Sequence, residues 1–151
     1  MVAKTKISAS IDEIKRLQME ANSFHIRKRN RATSKIVSFL LQTALLEGVL
    51  VNYGFVLLEK RGGFNALIGK RKNKYGYDNA IDDLFLLRSI TEKEFKRLEN
   101  YKNKRNAYLH GLLLQNTEIT ANEVGKIYED HKNLVDKMIK KLKRKLDKPK
   151  I

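Results

Sequence analysis

The stretch Arg105-Asn106-Ala107-Tyr108-Leu109-His110 brings together three side chains that can act on a phosphate group. Arg105 carries a permanent charge on a forked group, which can hold a phosphate and stabilise charge on its oxygens. His110 carries imidazole, whose unperturbed pKa lies near neutral pH, so it can take or deliver a proton. Asn106 lies one helical turn before His110 and can orient the ring or donate to the phosphate. The set is typical of chemistry at a phosphodiester.

A helix over about residues 92–114 must position these side chains, and its polarity is unusual. The pair Thr91 and Glu94 forms a capping box at its start. At about 100° of turn per residue, one arc of roughly 100° holds five apolar residues: Phe95, Leu98, Leu109, Leu112 and Leu113. Lys102, Arg105 and Asn106 fall inside or at the border of the same arc, with His110 just beyond. Because an unpartnered buried arginine is costly, we expect these groups to face a solvated cleft between helices or protomers.

Four other helices are predicted around this one. The first starts at the capping box Ser10/Glu13, and the second covers about residues 33–60, is apolar nearly all round and is stopped by Gly62-Gly63. A short third helix covers about 78–88, and the last covers about 121–146 after the box Thr120/Glu123. No segment alternates as a strand does. The sequence predicts an all-α bundle of four to five helices, one domain over residues 1–151, with a lysine-rich tail from about residue 140 that frays.

Composition defines the partner class. The 151 residues carry 32 Lys+Arg against 17 Asp+Glu, a formal net charge of +15, which favours a polyanion such as RNA; an anionic membrane surface is the rival. Cysteine is absent and the three histidines have no zinc spacing, so we expect no metal and no cofactor. Residues 1–10 lack the apolar core of a secretory signal, and we expect a cytoplasmic protein.

The second helix is about long enough to cross a bilayer, but Glu47 lies near its middle. A charge at a helix centre costs roughly 2.5–3.5 kcal/mol on insertion scales, so a central bundle helix or a dimer-forming helix fits better than a membrane span. A carboxylate on a core helix needs a partner, and we expect Glu47 to orient Arg105 or Lys102. The alternative is a solvated position at the edge of the bundle.

Residues 70–77 combine cations with aromatic rings, a composition that suits phosphate attraction and base stacking. The candidate RNA-binding residues there are Lys70, Arg71, Lys72, Lys74 and Tyr75, and Lys102 is expected to add positive field near Arg105. An ordinary solvated loop is the alternative for this segment. Of the remaining histidines, His131 is expected to pack in the core and His25 to lie on the surface.

The motif from Arg105 through Asn106 to His110 resembles the signature of the HEPN superfamily, a group of compact helical domains. That signature is an arginine, often followed by Asn, with four to six residues before a histidine. The resemblance implies a metal-independent endoribonuclease in which a homodimer joins two copies of the motif in one basic cleft. Arg105, Asn106 and His110 would then be catalytic, and single-stranded RNA would be cut when a 2′-oxygen attacks its own phosphate and leaves a cyclic phosphate.

Many small members of the superfamily are toxins or defence nucleases, and some are controlled by an antitoxin that modifies a tyrosine two residues after the histidine. That position here is Leu112. The tyrosine scheme is therefore not implied, and a different antitoxin or regulatory partner, or none, is expected. Other members are scaffolds without catalysis. The alternative function is a non-catalytic basic helical RNA-binding or assembly subunit.

Overall fold

Six α-helices make up the described part of the chain in this computed structural model, which describes residues 11–26, 31–71, 74–111 and 117–147. No strand occurs within those ranges, and the all-α fold class is confirmed. The helices in chain order are α1 (Ile11–Ile26), α2 (Arg31–Arg61), α3 (Asn65–Arg71), α4 (Tyr77–Leu86), α5 (Glu92–Gly111) and α6 (Thr117–Asp147).

The central helix is α2, which packs against α1, α4 and α6. Its residues 49–58 are all buried, because apolar side chains surround it on every side. It ends where the sequence predicted: Gly62 and Gly63 have φ of 71° and 78°, and the Gly62 N–H donates to the Leu58 carbonyl at 3.3 Å. The stretch Ala32–Arg61 is long and apolar enough to span a bilayer, yet more than half of its most apolar window is buried against the rest of the protein. A core helix meets the same length and composition criteria.

Two boundaries of α6 differ from the prediction. The helix begins at Thr117, so Thr120 is a buried residue inside it and does not cap it. At the other end, the segment expected to fray from about residue 140 is helical as far as Asp147. The reason is packing: Leu142 is fully buried, and the Lys141 ammonium donates to the Ser89 carbonyl at 2.9 Å. Residues 148–151 lie outside the described ranges.

The capping box at the start of α5 is confirmed. The Thr91 N–H donates to Oε1 of Glu94 at 2.8 Å, and the Glu94 N–H donates to Oγ1 of Thr91 at 3.1 Å. The buried Glu94 carboxylate also pairs with Lys137 at 2.9 Å and Lys141 at 3.1 Å on α6. These bonds fix the first turn of α5 against the last helix.

The buried face of α5 differs from the predicted apolar arc. Leu98 and Tyr101 are fully buried, whereas Phe95 is half-buried and Leu109 is 38% exposed. Leu112 and Leu113 lie outside the described ranges. The buried face of α5 is therefore rotated towards Tyr101 relative to the predicted arc. The Tyr101 ring packs between Phe39 of α2 and His131 of α6, at centroid distances of 6.1 Å and 5.0 Å. Arg105, one turn after Tyr101, therefore lies on the buried side of the helix.

Candidate active site around Arg105

The guanidinium of Arg105 lies among an amide, a carboxylate and an aromatic ring. Its Nε and Nη2 atoms donate to Oδ1 of Asn106 at 3.2 and 3.1 Å, and its Cζ lies 5.6 Å from the centre of the Tyr77 ring. Only 13% of the side chain is exposed. These contacts offset the cost of burying the charge. The Asn106 amide holds the guanidinium plane, as a positioning residue would.

Glu47 supplies a carboxylate that pairs with this arginine. Its Oε2 lies 3.7 Å from Nη1 of Arg105, which links α2 to α5. About half of the Glu47 side chain, 48%, is exposed. The sequence offered an orienting carboxylate and a solvated edge position as alternatives, and the geometry combines both. The solvent-exposed part of this ion pair is therefore mainly the carboxylate.

Lys102 lies on the same helix, but its charge is engaged elsewhere. The ammonium pairs with Oδ2 of Asp78 on α4, and 23% of the Lys102 side chain is exposed. Asp78 therefore neutralises part of the field that Lys102 was expected to supply. The pair ties the first turn of α4 to the middle of α5.

His110 belongs to α5, but its side chain lies outside the described part of the structure, as does all of Leu112. The helix is continuous from Arg105 to Gly111. Five residues correspond to about 140° of turn around the helix axis, so positions 105 and 110 lie on different sides of α5. Position 106, four residues before the histidine, lies about 40° from position 110.

Buried hydrogen bonds hold Tyr77, whose ring contacts Arg105, and Tyr101, which lies one turn before Arg105 on α5. The Tyr77 hydroxyl donates to the Leu98 carbonyl at 2.6 Å, and the Tyr101 hydroxyl donates to Oε1 of Gln42 at 3.0 Å. The Thr43 hydroxyl lies 3.1 Å from the Tyr101 oxygen. Burial raises the pKa of both tyrosines above the ordinary value, so both stay protonated and act as hydrogen-bond donors.

Residues 70–77 divide between surface and core. Lys70 and Lys74 are exposed, as RNA contacts would require, whereas Lys72 and the side chain of Arg71 lie outside the described residues. Tyr75 is half-buried: its hydroxyl donates to Oδ2 of Asp83 at 2.9 Å, and its ring meets Phe55 edge-on at 6.2 Å. The Tyr75 ring therefore packs inside the protein and is not free to stack on a base.

Tyr77 is a site residue that the sequence pattern does not indicate. The pattern of the basic segment 70–77 predicts an aromatic ring available for base stacking, but Tyr77 is buried directly beside Arg105. The signal that could have found it is its place at the first position of a short amphipathic helix, where its ring must turn inward with Ala80, Ile81 and Leu84.

The other two histidines are structural in different ways. His131 packs as predicted, with Nδ1 at 2.8 Å from the Ile127 carbonyl, and burial lowers its pKa below the ordinary value. The surface position expected for His25 is wrong, because its Nε2 lies 2.6 Å from Glu129 and its ring stacks on Tyr128 at 4.3 Å. Within the described ranges, no three His, Asp or Glu side chains converge as metal ligands would.

Three comparisons with known proteins found no match to this chain. No family model matches the sequence, and neither a curated protein nor a solved structure proved similar to it. The functional assignment therefore depends on the chemistry and placement of the residues around Arg105.

Proposed function

We propose that this chain is a metal-independent endoribonuclease that cuts single-stranded RNA, with Arg105 and His110 as its catalytic residues. The observation that carries the proposal is the Arg105 guanidinium, which Asn106 and the half-exposed Glu47 hold in place on the same helix as His110. A fixed, permanently charged fork suits the charge that develops on a phosphate during attack. The net charge of +15 draws a polyanion towards it.

The reaction needs one base, one acid and one cationic group. The RNA 2′-oxygen attacks the adjacent phosphorus while its proton passes to a base, and the bond from phosphorus to the 5′-oxygen breaks as that oxygen takes up a proton. The products are a 2′,3′-cyclic phosphate and a free 5′-hydroxyl. His110 serves as the base or the acid, and Arg105 stabilises the non-bridging oxygens. Asn106 keeps the guanidinium in place, and Glu47 sets its orientation.

A homodimer is part of the proposal. Positions 105 and 110 lie about 140° apart on α5, so one protomer presents them to different sides of its helix. An isologous pair of protomers can bring Arg105 of one copy to His110 of the other. A regulatory partner that covers this interface would act as an antitoxin. Such a partner would act by binding and not by modifying a tyrosine.

Two assays test this function. Purified protein with a chelator present is expected to cut a single-stranded RNA and to leave the matching DNA intact, with cyclic phosphate ends on the products.

The second assay tests the shared site. The Arg105→Ala and His110→Ala variants are mixed under conditions that exchange subunits. Each variant alone is inactive, and the mixture is expected to regain roughly a quarter of wild-type activity, since half of the dimers then hold one intact site. Intact RNA under all conditions would contradict the catalytic proposal, and an inactive mixture would contradict the shared site.

A non-catalytic RNA-binding subunit is the second candidate. The observation in its favour is that Arg105 is largely buried and already has contacts with Asn106, Glu47 and Tyr77, as a structural arginine would. This candidate predicts RNA binding without product over a wide excess of protein, with the same affinity in the His110→Ala variant.

A further inference from the structure

We infer that the outer face of α5 is a second RNA-contacting surface, separate from the Arg105 site. This surface, here termed the α5 basic face, consists of Lys93, Lys96, Arg97, Asn100 and Lys104. The inference rests on the proposed function in taking RNA as the ligand. It concerns binding of the phosphate backbone and not cleavage.

The five residues follow one side of the helix. They fall within about 100° of turn, and Lys93 and Lys104 are separated by eleven residue steps, roughly 16 Å along the axis. Four of them are exposed, and four line a shallow groove together with Glu92. Such a row of donors can contact successive phosphates of a single strand.

The face continues to the edge of α6. The Arg97 Nη2 donates to the Asp130 carbonyl at 3.0 Å, which holds the guanidinium at the junction of the two helices. Burial lowers the pKa of His131, and the charges of Arg97 and Lys104 add to that lowering, as expected of cations close to this side of α6. Glu92 also lines the groove and pairs with Lys96 at 3.4 Å, with both side chains about 70% exposed. Such an exposed pair is weak and leaves most of the positive field intact.

The composition of the face favours a nucleic-acid backbone over a membrane. A helix that lies on a bilayer places Trp, Phe or Leu beside its cations, to bury them in the acyl region. Between Lys93 and Ala107 the exposed positions of α5 carry cations, asparagines, an alanine and one carboxylate, Glu99, but no large apolar side chain. Asn100 and Asn103 are exposed amides that can hydrogen-bond phosphate or a 2′-hydroxyl.

The Arg105 site lies elsewhere on the helix. Position 105 is about 120° of turn from the centre of the α5 basic face, on the buried side of α5. A strand on the face therefore makes contacts that Arg105 of the same protomer does not share, and the two surfaces can be tested independently.

The test measures binding of an RNA that cannot be cut. A fluorescent 2′-O-methyl oligonucleotide of about 20 residues is titrated with full-length protein over a range of salt concentrations, since the salt slope counts phosphate contacts. The test variant is Lys93→Gln/Lys96→Gln/Lys104→Gln, which leaves the Arg97 bond to α6 in place. The matched control is Lys15→Gln/Arg16→Gln/Lys143→Gln, which removes the same charge from exposed positions on α1 and the outer side of α6.

The test variant is expected to lower the salt slope by about 2 and the affinity by on the order of 100-fold near 0.1 M salt. The control is expected to change the slope by less than about 0.5. An unchanged salt slope in the test variant would overturn the inference. Equal losses of RNA affinity in the test and control variants would overturn it too, since they would show that only the net charge of the protein matters. If the test variant lost binding to anionic vesicles but kept its RNA binding, the face would be a membrane-binding surface, and the inference would be overturned as well. RNA cleavage by the Arg105→Ala variant is a separate readout, so a failure of the proposed function is recognised independently.

Discussion

Oε2 of Glu47 lies 3.7 Å from Nη1 of Arg105, and this ion pair connects the central helix α2 to the helix that carries the candidate motif. The two partners differ in exposure, because Arg105 is largely buried whereas Glu47 is half-exposed. Under the proposed function, a phosphate that reaches the guanidinium must compete with the Glu47 carboxylate. In that proposal the pair sets the orientation of Arg105.

Replacement of this carboxylate should affect catalysis more than folding. In the Glu47→Gln variant we expect the free energy of unfolding to change by less than about 1 kcal/mol, since Glu47 is half-exposed, and the amide that replaces it can still accept a hydrogen bond from the guanidinium. We expect kcat to fall about tenfold with little change in KM, because a misoriented arginine stabilises the transition state less well. Single-turnover cleavage and urea unfolding measure the two effects. Glu99→Gln, an exposed change on α5, is the control; an equal loss of kcat there would contradict a positioning role for Glu47.

The Tyr101 hydroxyl should be a major contributor to stability. Tyr101→Phe leaves the ring packing intact but removes the donor to the buried Gln42 oxygen and the contact with Thr43. A buried polar group without its partner costs about 1–3 kcal/mol, and we expect that loss in the free energy of unfolding. Denaturant unfolding of Tyr101→Phe beside Tyr108→Phe, whose side chain is only partly buried, checks it. Similar stability of the Tyr101 variant and wild type would show that the network is dispensable.

Acid should weaken the fold through Glu94. Burial alone would raise the pKa of this carboxyl, but the bonds from Lys137, Thr91 and Lys141 outweigh it and lower the pKa from 4.5 to about 2. Because the folded-state pKa lies below the unfolded one, the contribution is fully present above about pH 4.5 and is lost as pH falls towards 2. It amounts to on the order of 3 kcal/mol.

The corresponding measurement is the free energy of unfolding between neutral pH and about pH 2.5 for wild type and Glu94→Gln. The variant should be less stable at neutral pH and should lose less stability on acidification. Glu92→Gln, an exposed change in the same turn, should follow the wild-type curve. Parallel curves for wild type and Glu94→Gln would contradict the assignment to Glu94.

Gly54 should be required for the packing of Tyr75. A Cβ atom at Gly54 would overlap the Tyr75 hydroxyl, so Gly54→Ala must displace that hydroxyl, which donates to Asp83. We expect a loss of about 1–3 kcal/mol in the free energy of unfolding. In the Tyr75→Ala background the same glycine change should cost little, and a double-mutant cycle measures the difference. Equal costs in the two backgrounds would show that the alanine is tolerated without moving Tyr75.

Local signals predicted most of the fold. The capping box Thr91/Glu94, the stop at Gly62 and the apolar α2 are each determined by neighbouring residues, and each appears where expected. The predicted start of the last helix at Thr120 is wrong, because a capping-box pattern in the sequence cannot exclude a helix that starts one turn earlier. The seven-residue α3 was missed because so short a helix has almost no apolar period to detect.

The candidate site was predictable only in part. Glu47 was found because a charge on a core helix demands a partner, and Arg105 because it interrupts an apolar face. The contact of Tyr77 with Arg105 and the pairing of Lys102 with Asp78 depend on how α4 crosses α5, which is a tertiary relationship that no local pattern encodes. The orientation of α5 itself depends on Tyr101, whose ring behaves as an apolar residue although its hydroxyl is polar.

The central claim is that Arg105 and His110 carry out RNA cleavage, and the most direct measurement is the cleavage rate of one single-stranded RNA, with chelator, by wild type, Arg105→Ala and His110→Ala. Arg16→Ala, an exposed arginine on α1, is the control. We predict a fall of at least about 100-fold for each motif variant, with the control unchanged and all four proteins folded by circular dichroism. Cleavage by Arg105→Ala or His110→Ala at the wild-type rate would contradict the account.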